Sequence, residues 1–416
     1  MFETPMLKQY QEIKAKHEGS ILFFRLGDFY EMFLEDAKVA SKLLGLTLTG
    51  RGKDLKRIPM CGIPHHSADN YIKKLIREGH KVAVCEQVED PALAKGITKR
   101  EVVKTITPGT VMSEGVIDEE DNNYLVCVSS HSKGFGLGFV DISTGEFKIS
   151  SISDLSDLKM EVNRLLPKEI LIPENMAGVF EDVLTNVYIP DAPKRAEELL
   201  LAHFKVHSLS GYGVDHLSQA FPVAWGLLNY LKSMQGTELP HITKLAAHDM
   251  SDRLYLDHVT IQNLEVVQNV RTDQKMSTLF GILDKTQTAM GARFLKQRLM
   301  SPFGKIEDIT LHLDALESLI ADIHSREDIT EILSQVNDLE RLISRIVTEK
   351  NNPRDLVVLK QSLVQLTKMG DVISTFKAPL WQQWTDFFQK YSAEESPYMS
   401  LISLLENALK DEVPVS

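Results

Sequence analysis

One short segment of this sequence places aromatic and acidic side chains where they could contact stacked rings. Residues 27–33 read Gly-Asp-Phe-Tyr-Glu-Met-Phe. If they form a strand, alternation puts Tyr30 and Met32 on one face and Phe29 and Glu31 on the other. A buried carboxylate needs a partner, so the Phe29 and Glu31 face should be the exposed one.

An exposed phenylalanine beside an acid has a known physical use on nucleic acids. The ring can wedge between base steps and unstack them, which kinks the duplex from the minor groove. The Glu31 carboxyl could then accept a hydrogen bond from a base, or donate one if protonated. The alternative interpretation is a core strand with a solvent-facing pair, since wedge residues are rare.

The residues around this segment form the only basic third of the chain. Residues 1–110 contain 18 Lys and Arg against 14 Asp and Glu, whereas residues 111–260 contain 11 against 22 and residues 261–416 contain 17 against 22. The basic side chains cluster at two places, namely Arg51, Lys53, Lys56 and Arg57, and then Lys99, Arg100 and Lys104. Each cluster is either a solvated face or a set of contacts to a nucleic-acid backbone.

Other combinations of reactive residues are less informative. The glycine-rich run 134–138 lies between strands and lacks the following helix that a phosphate site needs. Cys61 precedes His65 and His66, but Pro64 gives poor chelating geometry, so a loop with a structural cysteine is favoured over a metal site. Asp141 ends a strand, where a two-metal nuclease would place a carboxylate, but no partner carboxylates are evident. A surface aspartate is the simpler interpretation.

A small α+β unit is expected to carry the aromatic segment. Thr4 and Pro5 begin a helix that Gly19 follows. The other predicted elements are strands at 21–26, 29–32, 46–49, 57–61, 81–86 and 101–107 and helices at 33–44 and 67–78, the last capped by Ser67. Pro108-Gly109 and the acids that follow indicate a boundary, and the first domain is predicted to span residues 1–112.

Two further domains are predicted. Strands at 124–129, 134–141 and 146–152, a helix at 155–165 and a strand at 169–172 indicate a ribonuclease-H-like mixed sheet with covering helices over 120–245. Residues 250–416 show helical periodicity instead, with helices at 306–321, 330–339, 355–366 and 399–409. The fold class is therefore multidomain, α+β and α/β followed by all-α.

Composition narrows the class of protein further. The 416 residues carry a net charge of −12, which by itself would argue against a nucleic-acid partner. There is no basic and apolar leader at the N-terminus and no run of the roughly 18 apolar residues that a membrane span needs. The three cysteines are widely separated, which favours a reducing compartment. A cytoplasmic protein is expected.

Several motifs together resemble the MutS family of bacterial mismatch-repair proteins. They include Phe24-Arg25-Leu26-Gly27-Asp28-Phe29-Tyr30-Glu31-Met32-Phe33, Pro59-Met60-Cys61-Gly62-Ile63-Pro64-His65-His66, Thr107-Pro108-Gly109-Thr110, Leu283-Asp284-Lys285-Thr286 and Asp338-Leu339-Glu340-Arg341. The likeness runs in order along the whole chain. It implies a mismatch-recognition domain, a connector domain and a helical lever domain. Leu26 and His65 depart from residues common in relatives, Met and Tyr respectively.

The resemblance also implies roles for particular residues. Phe29-Tyr30-Glu31 matches the family's Phe-x-Glu mismatch reader, so Phe29 would stack on the mispaired base, Glu31 would hydrogen-bond it and Tyr30 would point into the domain. Arg51 matches an arginine of a DNA-proximal loop. These roles are physically reasonable, because unstacking and kinking a mispaired base step costs less free energy than doing so at a paired step.

The family also has parts that these residues do not match. A clamp and an ATPase domain that binds ATP and Mg and dimerises would follow, and no G-x-x-x-x-G-K-[ST] motif occurs here. The chain itself is therefore expected to hydrolyse no ATP and to need no cofactor. MutL, a second subunit and mispaired double-stranded DNA are the implied partners. Two other functions stay open, a nuclease centred on Asp141 and a recombination-type relative acting only as a scaffold.

Overall fold

A computed structural model describes residues 4–51, 57–89, 96–112, 115–181, 183–269, 275–393 and 395–409. These residues form two separate six-stranded sheets followed by a region of helices. The multidomain α+β, α/β and all-α class predicted from the sequence is confirmed. No helix among the described residues is long and apolar enough to cross a membrane.

The first sheet is mixed. Its strands are β1 (Ser20–Leu26), β2 (Phe29–Phe33), β3 (Thr49–Arg51), β4 (Ile58–Pro64), β5 (Lys81–Gln87) and β6 (Arg100–Ile106), in the order β3-β4-β2-β1-β5-β6. Among the described strands of this sheet, β1 and β5 pair in parallel and the other neighbours pair antiparallel. The helices of this domain are α1 (Pro5–Lys16), α2 (Leu34–Leu44) and α3 (Ala68–Arg77). Thr4 caps α1 as predicted, because its hydroxyl accepts a hydrogen bond from the Leu7 amide.

The two faces of this sheet are covered to different extents. Helices α2 and α3 cover one face, where Tyr30 and Met32 are buried. Helix α1 covers the other face around Phe24 and Phe33 through Leu7 and Tyr10. Alternation along β2 puts Phe29 and Glu31 on this second face, beyond the part that α1 covers. That end of the sheet is therefore open.

Three local predictions in this domain were wrong. Residues 46–48 are irregular and β3 begins only at Thr49, because strand pairing with β4 starts where Thr49 faces Met60. Ser67 does not cap α3 through its side chain; its hydroxyl donates to the Pro64 carbonyl within a short 3-10 helix instead. Cys61 is buried in β4 rather than in a loop, and burial raises the pKa of its thiol to about 11.

The second sheet carries a helical layer on each face. Its strands are β7 (Tyr124–His131), β8 (Gly134–Asp141), β9 (Glu146–Ile152), β10 (Glu169–Ile172), β11 (Thr185–Val187) and β12 (Ala246–Ala247), in the order β11-β10-β7-β8-β9-β12. Helix α4 (Leu155–Leu165) packs on one face, and α5 (Pro193–Phe204) and α6 (Phe221–Gln235) pack on the other. The glycine-rich run 134–138 is part of β8. Strand β12 extends the sheet two residues past the predicted boundary at 245.

Helices dominate the described residues after 250. They are α7 (His258–Asn263), α8 (Leu279–Leu283), α9 (Ala289–Met300), α10 (Ile306–Ala321), α11 (Ile323–Ser334), α12 (Leu339–Val347), α13 (Pro353–Ile373), α14 (Pro379–Ser392) and α15 (Pro397–Ala408). The helix predicted at 330–339 is wrong in its bounds. Helix α11 ends at Ser334, and the Asp338 carboxylate caps α12 by accepting from the Arg341 amide.

An acidic strap, residues 118–122, joins the first two domains and is held by the helical region. The Arg341 guanidinium donates to the carbonyls of Asp118 and Asp121 and to the Ser143 hydroxyl. Arg293 donates to the Glu119 carbonyl at 2.8 Å. Both arginines are buried. The helical region therefore fixes the connection between the two sheet domains.

Candidate nucleic-acid interface

The most exposed aromatic residue of the first sheet stands at a hairpin turn. Strands β1 and β2 are joined by Gly27 and Asp28, and Gly27 adopts a φ of +59°, which glycine tolerates without strain. Phe29 follows at once and is 47% exposed, whereas Tyr30 is 6% exposed. The alternation predicted from the sequence is confirmed. A large apolar ring on an open sheet end is free to stack on another ring.

Glu31 lies next to Phe29 on the same face, and the basic side chain of Arg51 lies beside it. The partner of Glu31 on β4 is Gly62, which has no side chain, and Nη1 of Arg51 lies 3.5 Å from Oε2 of Glu31. The Glu31 side chain is 20% exposed. Burial raises the pKa of Glu31 above its ordinary value, although the Arg51 charge opposes the shift. A carboxyl with a raised pKa is better able to donate a hydrogen bond.

We predict that Arg51→Met raises the pKa of Glu31 further, since the substitution removes the charge that lowers it. The folded state already binds this proton more tightly than the unfolded chain. Stability at this group therefore increases as pH falls through the raised pKa, and more so in the variant. An NMR titration of the Glu31 side chain measures the shift. Arg57→Met is the matched control, and an unchanged Glu31 pKa in Arg51→Met would contradict the assignment.

The other basic residues predicted to contact a backbone are dispersed. Arg57 is exposed near Arg51, and its Nε donates to the Gly50 carbonyl at 3.0 Å. Lys53 and Lys56 lie outside the described residues. Lys99 is paired with Glu101 at 2.7 Å. Among the predicted basic residues that the structure describes, Arg51 is thus the one with a contact to β2, through Glu31.

Lys104 lies away from the hairpin. Lys104 is exposed on β6. Arg100, at the start of this strand, pairs with Gln87, and Lys104 lies four residues further along, which is roughly 13 Å from Arg100. The pKa of Lys350 is lowered first by burial and second by the charge of Lys104. Lys104 therefore lies beside the helical region that contains Lys350. Its position favours a role at the domain junction over one beside Phe29.

Arg100 is inside the domain, contrary to the exposure that a backbone contact requires. The residue is 7% exposed, and its guanidinium lies 5.0 Å from the centre of the Phe24 ring. It donates to the carbonyls of Arg25 and Thr98 and to the Gln9 side chain. Arg100 is therefore better explained as a structural arginine than as a phosphate contact. Its place on β6 could not be known from local spacing.

Two residues beside Phe29 were missed by the sequence analysis as site residues. Arg25 donates from Nε to the Gly27 carbonyl, and His65 contacts the Asp28 carbonyl through both its amide and its ring Nδ1. Pairing of β2 with β4 sets Pro64 opposite Phe29, so the residue after it reaches the turn. The departure at His65 from the tyrosine common in relatives was the available signal.

Asp141 is neither a surface residue nor an open metal ligand. It is fully buried, and both carboxylate oxygens are occupied. Oδ1 accepts from the amide and hydroxyl of Ser143, and Oδ2 accepts from the Asn123 amide and the Asn122 side chain. Within the part of the chain that the structure describes, no three His, Cys, Asp or Glu side chains are grouped to hold a metal ion. The carboxylate organises the turn after β8 instead.

The expected effect of Asp141→Asn is a loss of stability. The amide nitrogen of asparagine would face a group that now donates a hydrogen bond to the carboxylate. Two donors would then meet in a buried site, and the lost hydrogen bond costs about 1–3 kcal/mol of stability. Thermal unfolding followed by circular dichroism measures the loss. Duplex DNA incubated with Mg²⁺ or Mn²⁺ should remain uncut by the parent and the variant alike. Metal-dependent cleavage by the parent that Asp141→Asn abolishes would instead support a nuclease.

Comparison with known families and proteins agrees with this architecture. Models of MutS domain I, MutS domain II and MutS domain III match residues 4–115, 123–243 and 259–416. The first match contains the Phe29 hairpin, the second contains β7–β11, and the third contains α9–α15.

Full-length relatives show the same likeness. The chain is 39% identical to the DNA mismatch repair protein MutS of Myxococcus xanthus, over 99% of this chain and 47% of the relative. It is 38% identical to the proteins of the same name from Desulfosudis oleivorans and Halothermothrix orenii, again over 99% of this chain and over 48% and 46% of those relatives. The chain thus spans about half the length of the curated relatives it matches. Because three successive domain models and near-complete coverage agree, the chain belongs to the MutS family.

Proposed function

We propose that this chain recognises mispaired or unpaired bases in double-stranded DNA, as part of DNA mismatch repair. Phe29 stacks on the mispaired base from the minor groove, and Glu31 hydrogen-bonds that base. The observation that carries the proposal is the 47% exposure of Phe29 beside Glu31 on the open end of a sheet, within a domain that matches MutS domain I.

Stacking supplies enough free energy for discrimination. A base stacked on an aromatic side chain contributes about 1–3 kcal/mol. The same stacking on a matched duplex requires unstacking of a stable base step, which costs more than unstacking a mispaired step. Different mispairs share this deformability, so one aromatic ring recognises many of them without reading a base sequence.

The raised pKa of Glu31 supports its proposed hydrogen bond. A protonated carboxyl donates to the ring nitrogen or carbonyl acceptors that bases present in the minor groove, whereas a carboxylate only accepts. Near DNA phosphates, the negative potential favours the protonated form further. The nearby Arg51 guanidinium would then be free to contact the backbone, because its partner loses charge.

The remaining proposals rest on the family resemblance. ATP and Mg would be bound by the part of the relatives that these 416 residues do not match, and this chain would itself hydrolyse no ATP. MutL and a second subunit would be partners of the whole protein, in the cytoplasm. Phe29 and Glu31 argue against the scaffold-only alternative, since a scaffold has no use for an exposed reader pair.

The experiment that tests the proposal compares duplexes that differ only in one base pair. These 416 residues, joined to the remaining half of the Myxococcus xanthus relative, are titrated with a fluorescent duplex carrying a G·T mispair, a one-base loop or a matched pair at the same position. We expect tighter binding to the first two at every salt concentration. Equal affinity for all three duplexes would overturn the proposal.

A further inference from the structure

Three basic side chains surround the hairpin turn, and each donates to a backbone carbonyl. Arg25 Nε donates to the Gly27 carbonyl at 2.5 Å. The ring Nδ1 of His65 lies 3.1 Å from the Asp28 carbonyl oxygen, which also accepts from the His65 amide at 2.9 Å. Arg100 Nε donates to the carbonyl of Arg25 itself at 2.6 Å. The carbonyls of residues 25, 27 and 28 are therefore held from three directions.

The three donors come from different parts of the sheet. His65 follows β4 on one side of the hairpin, and Arg100 begins β6 on the other side. Arg25 is fixed within the hairpin, because its guanidinium lies 5.5 Å from the centre of the Tyr30 ring and 3.8 Å from the Glu86 carboxylate. The turn before Phe29 is thus tied to strands on both sides rather than to its own hairpin alone.

Resting on the proposed function, we propose that Arg25, His65 and Arg100 are positioning residues that hold the Phe29 hairpin rigid for insertion into DNA. We name these three residues the turn brace. A side chain can open a base step only if the backbone that carries it deforms less than the base step does. A two-residue turn containing glycine is easily deformed, because glycine has wide conformational freedom. Donors fixed on both sides remove that freedom before DNA binds, which lowers the cost of binding.

In the turn brace, basic side chains near Phe29 use hydrogen-bond donors on carbonyls of the chain itself. The Nε donors of Arg25 and Arg100 point at carbonyl oxygens of the chain. A carbonyl oxygen only accepts, so Nδ1 of His65 carries the hydrogen in this contact. This use of His65 needs a side chain with a donor bonded directly to Cγ, which asparagine also offers and phenylalanine lacks.

His65 offers the sharpest test, because it lies near the surface and its donor can be removed and restored. His65→Phe keeps a ring and removes the donor, whereas His65→Asn keeps an N–H donor in nearly the same place. His66→Phe is the control, since His66 is exposed and its ring meets the His65 ring edge-on at 5.8 Å between centres, away from the turn carbonyls. Native-state hydrogen exchange on the 416-residue chain follows the amides of residues 27–31 and 65.

We expect exchange at these amides to be about two- to tenfold faster in His65→Phe, the range that one net hydrogen bond supports. His65→Asn should restore the parent rate, and His66→Phe should not change it. If these amides exchange in His65→Phe at the same rate as in the parent protein, or equally faster in all three variants, the proposed role of the turn brace is wrong. This measurement needs no DNA, so its outcome is separate from that of the proposed function.

The second measurement joins the brace to recognition. In the protein extended with the Myxococcus xanthus half, His65→Phe should lower the ratio of the affinity for mispaired DNA to the affinity for matched DNA by about two- to tenfold. The affinity for matched DNA should not change. His65→Asn should keep the ratio of the parent. An unchanged ratio in His65→Phe, together with a lost preference in a Phe29 variant, would overturn the brace and leave the proposed function standing. No preference in the parent would overturn the proposed function instead.

Discussion

Phe29→Ala should bring the affinity for a mispaired duplex down to that for a matched one. The substitution removes the ring that stacks on the base, and with it about 1–3 kcal/mol, which is roughly a 5- to 150-fold fall in the preference. Affinity for the matched duplex should remain, because contacts to phosphates are independent of the base step. The measurement is a titration of the extended protein with G·T and matched duplexes at equal salt.

Two further variants separate stacking from loss of exposed apolar surface. Phe29→Trp keeps a stacking ring and should retain most of the preference. Leu48→Ala removes a side chain that is also 47% exposed but lies before β3, and should leave the preference intact. If Phe29→Ala keeps the parent's preference, or if Leu48→Ala loses it to the same extent, the assigned role of Phe29 is wrong.

The hairpin could be predicted from the sequence because its signals are local. Alternation along residues 29–32 places Tyr30 and Met32 on one face of the strand and Phe29 and Glu31 on the other. The two-residue turn at Gly27-Asp28 sets the register between the strands on either side of it. Exposure of Phe29 followed from the difficulty of burying the adjacent carboxylate. Nothing in this reasoning required knowledge of a distant part of the chain.

The partners of the basic residues could not be predicted in the same way. Arg100 is 75 residues from the carbonyl it binds in Arg25, and His65 is 37 residues from the carbonyl it binds in Asp28. A cluster of positive charge in the sequence does not show whether its donors point to solvent or to carbonyls inside the domain. Asp141 was misjudged for the same reason, since Asn122 and Asn123 reach it only when β7 pairs with β8.

The acidic strap shows how net charge alone misleads. Residues 118–121 contain four acids, and in the sequence this acidic run indicated a domain boundary. The structure places them against Arg293, Lys296 and Arg341 of the helical region. Part of the negative charge of the middle third is therefore compensated within the molecule. The net charge of −12 does not describe the surface that DNA would meet at Phe29.

Arg293 should be the most costly single side chain to remove from this junction. It is 3% exposed and donates to both oxygens of Asp338 at 2.7 and 2.9 Å, to Glu340 at 2.6 Å and to the strap at the Glu119 carbonyl. Burial would raise the pKa of Asp338, but the Arg293 hydrogen bonds outweigh it and hold that pKa below its ordinary value. The pair therefore stabilises the fold above pH 4 and loses this contribution as the pH falls further.

Arg293→Met is expected to lower the free energy of unfolding by about 3–5 kcal/mol, because Asp338 keeps its charge in a largely buried site and loses both of its short hydrogen bonds to a guanidinium. The Arg341 amide at 3.3 Å and the Arg341 guanidinium at 3.8 Å are the contacts that remain to it in the described structure. Urea unfolding at neutral pH measures the loss. Lys296→Met is the matched control; its pair with Asp121 is more exposed, so it should cost no more than about 1 kcal/mol. Adding Asp338→Asn to Arg293→Met should recover part of the loss, since the buried charge that has lost its main partner is then removed. Equal losses in the two single variants would show that the buried pair does not hold the strap, and that the sheet domains are fixed to the helices by other contacts.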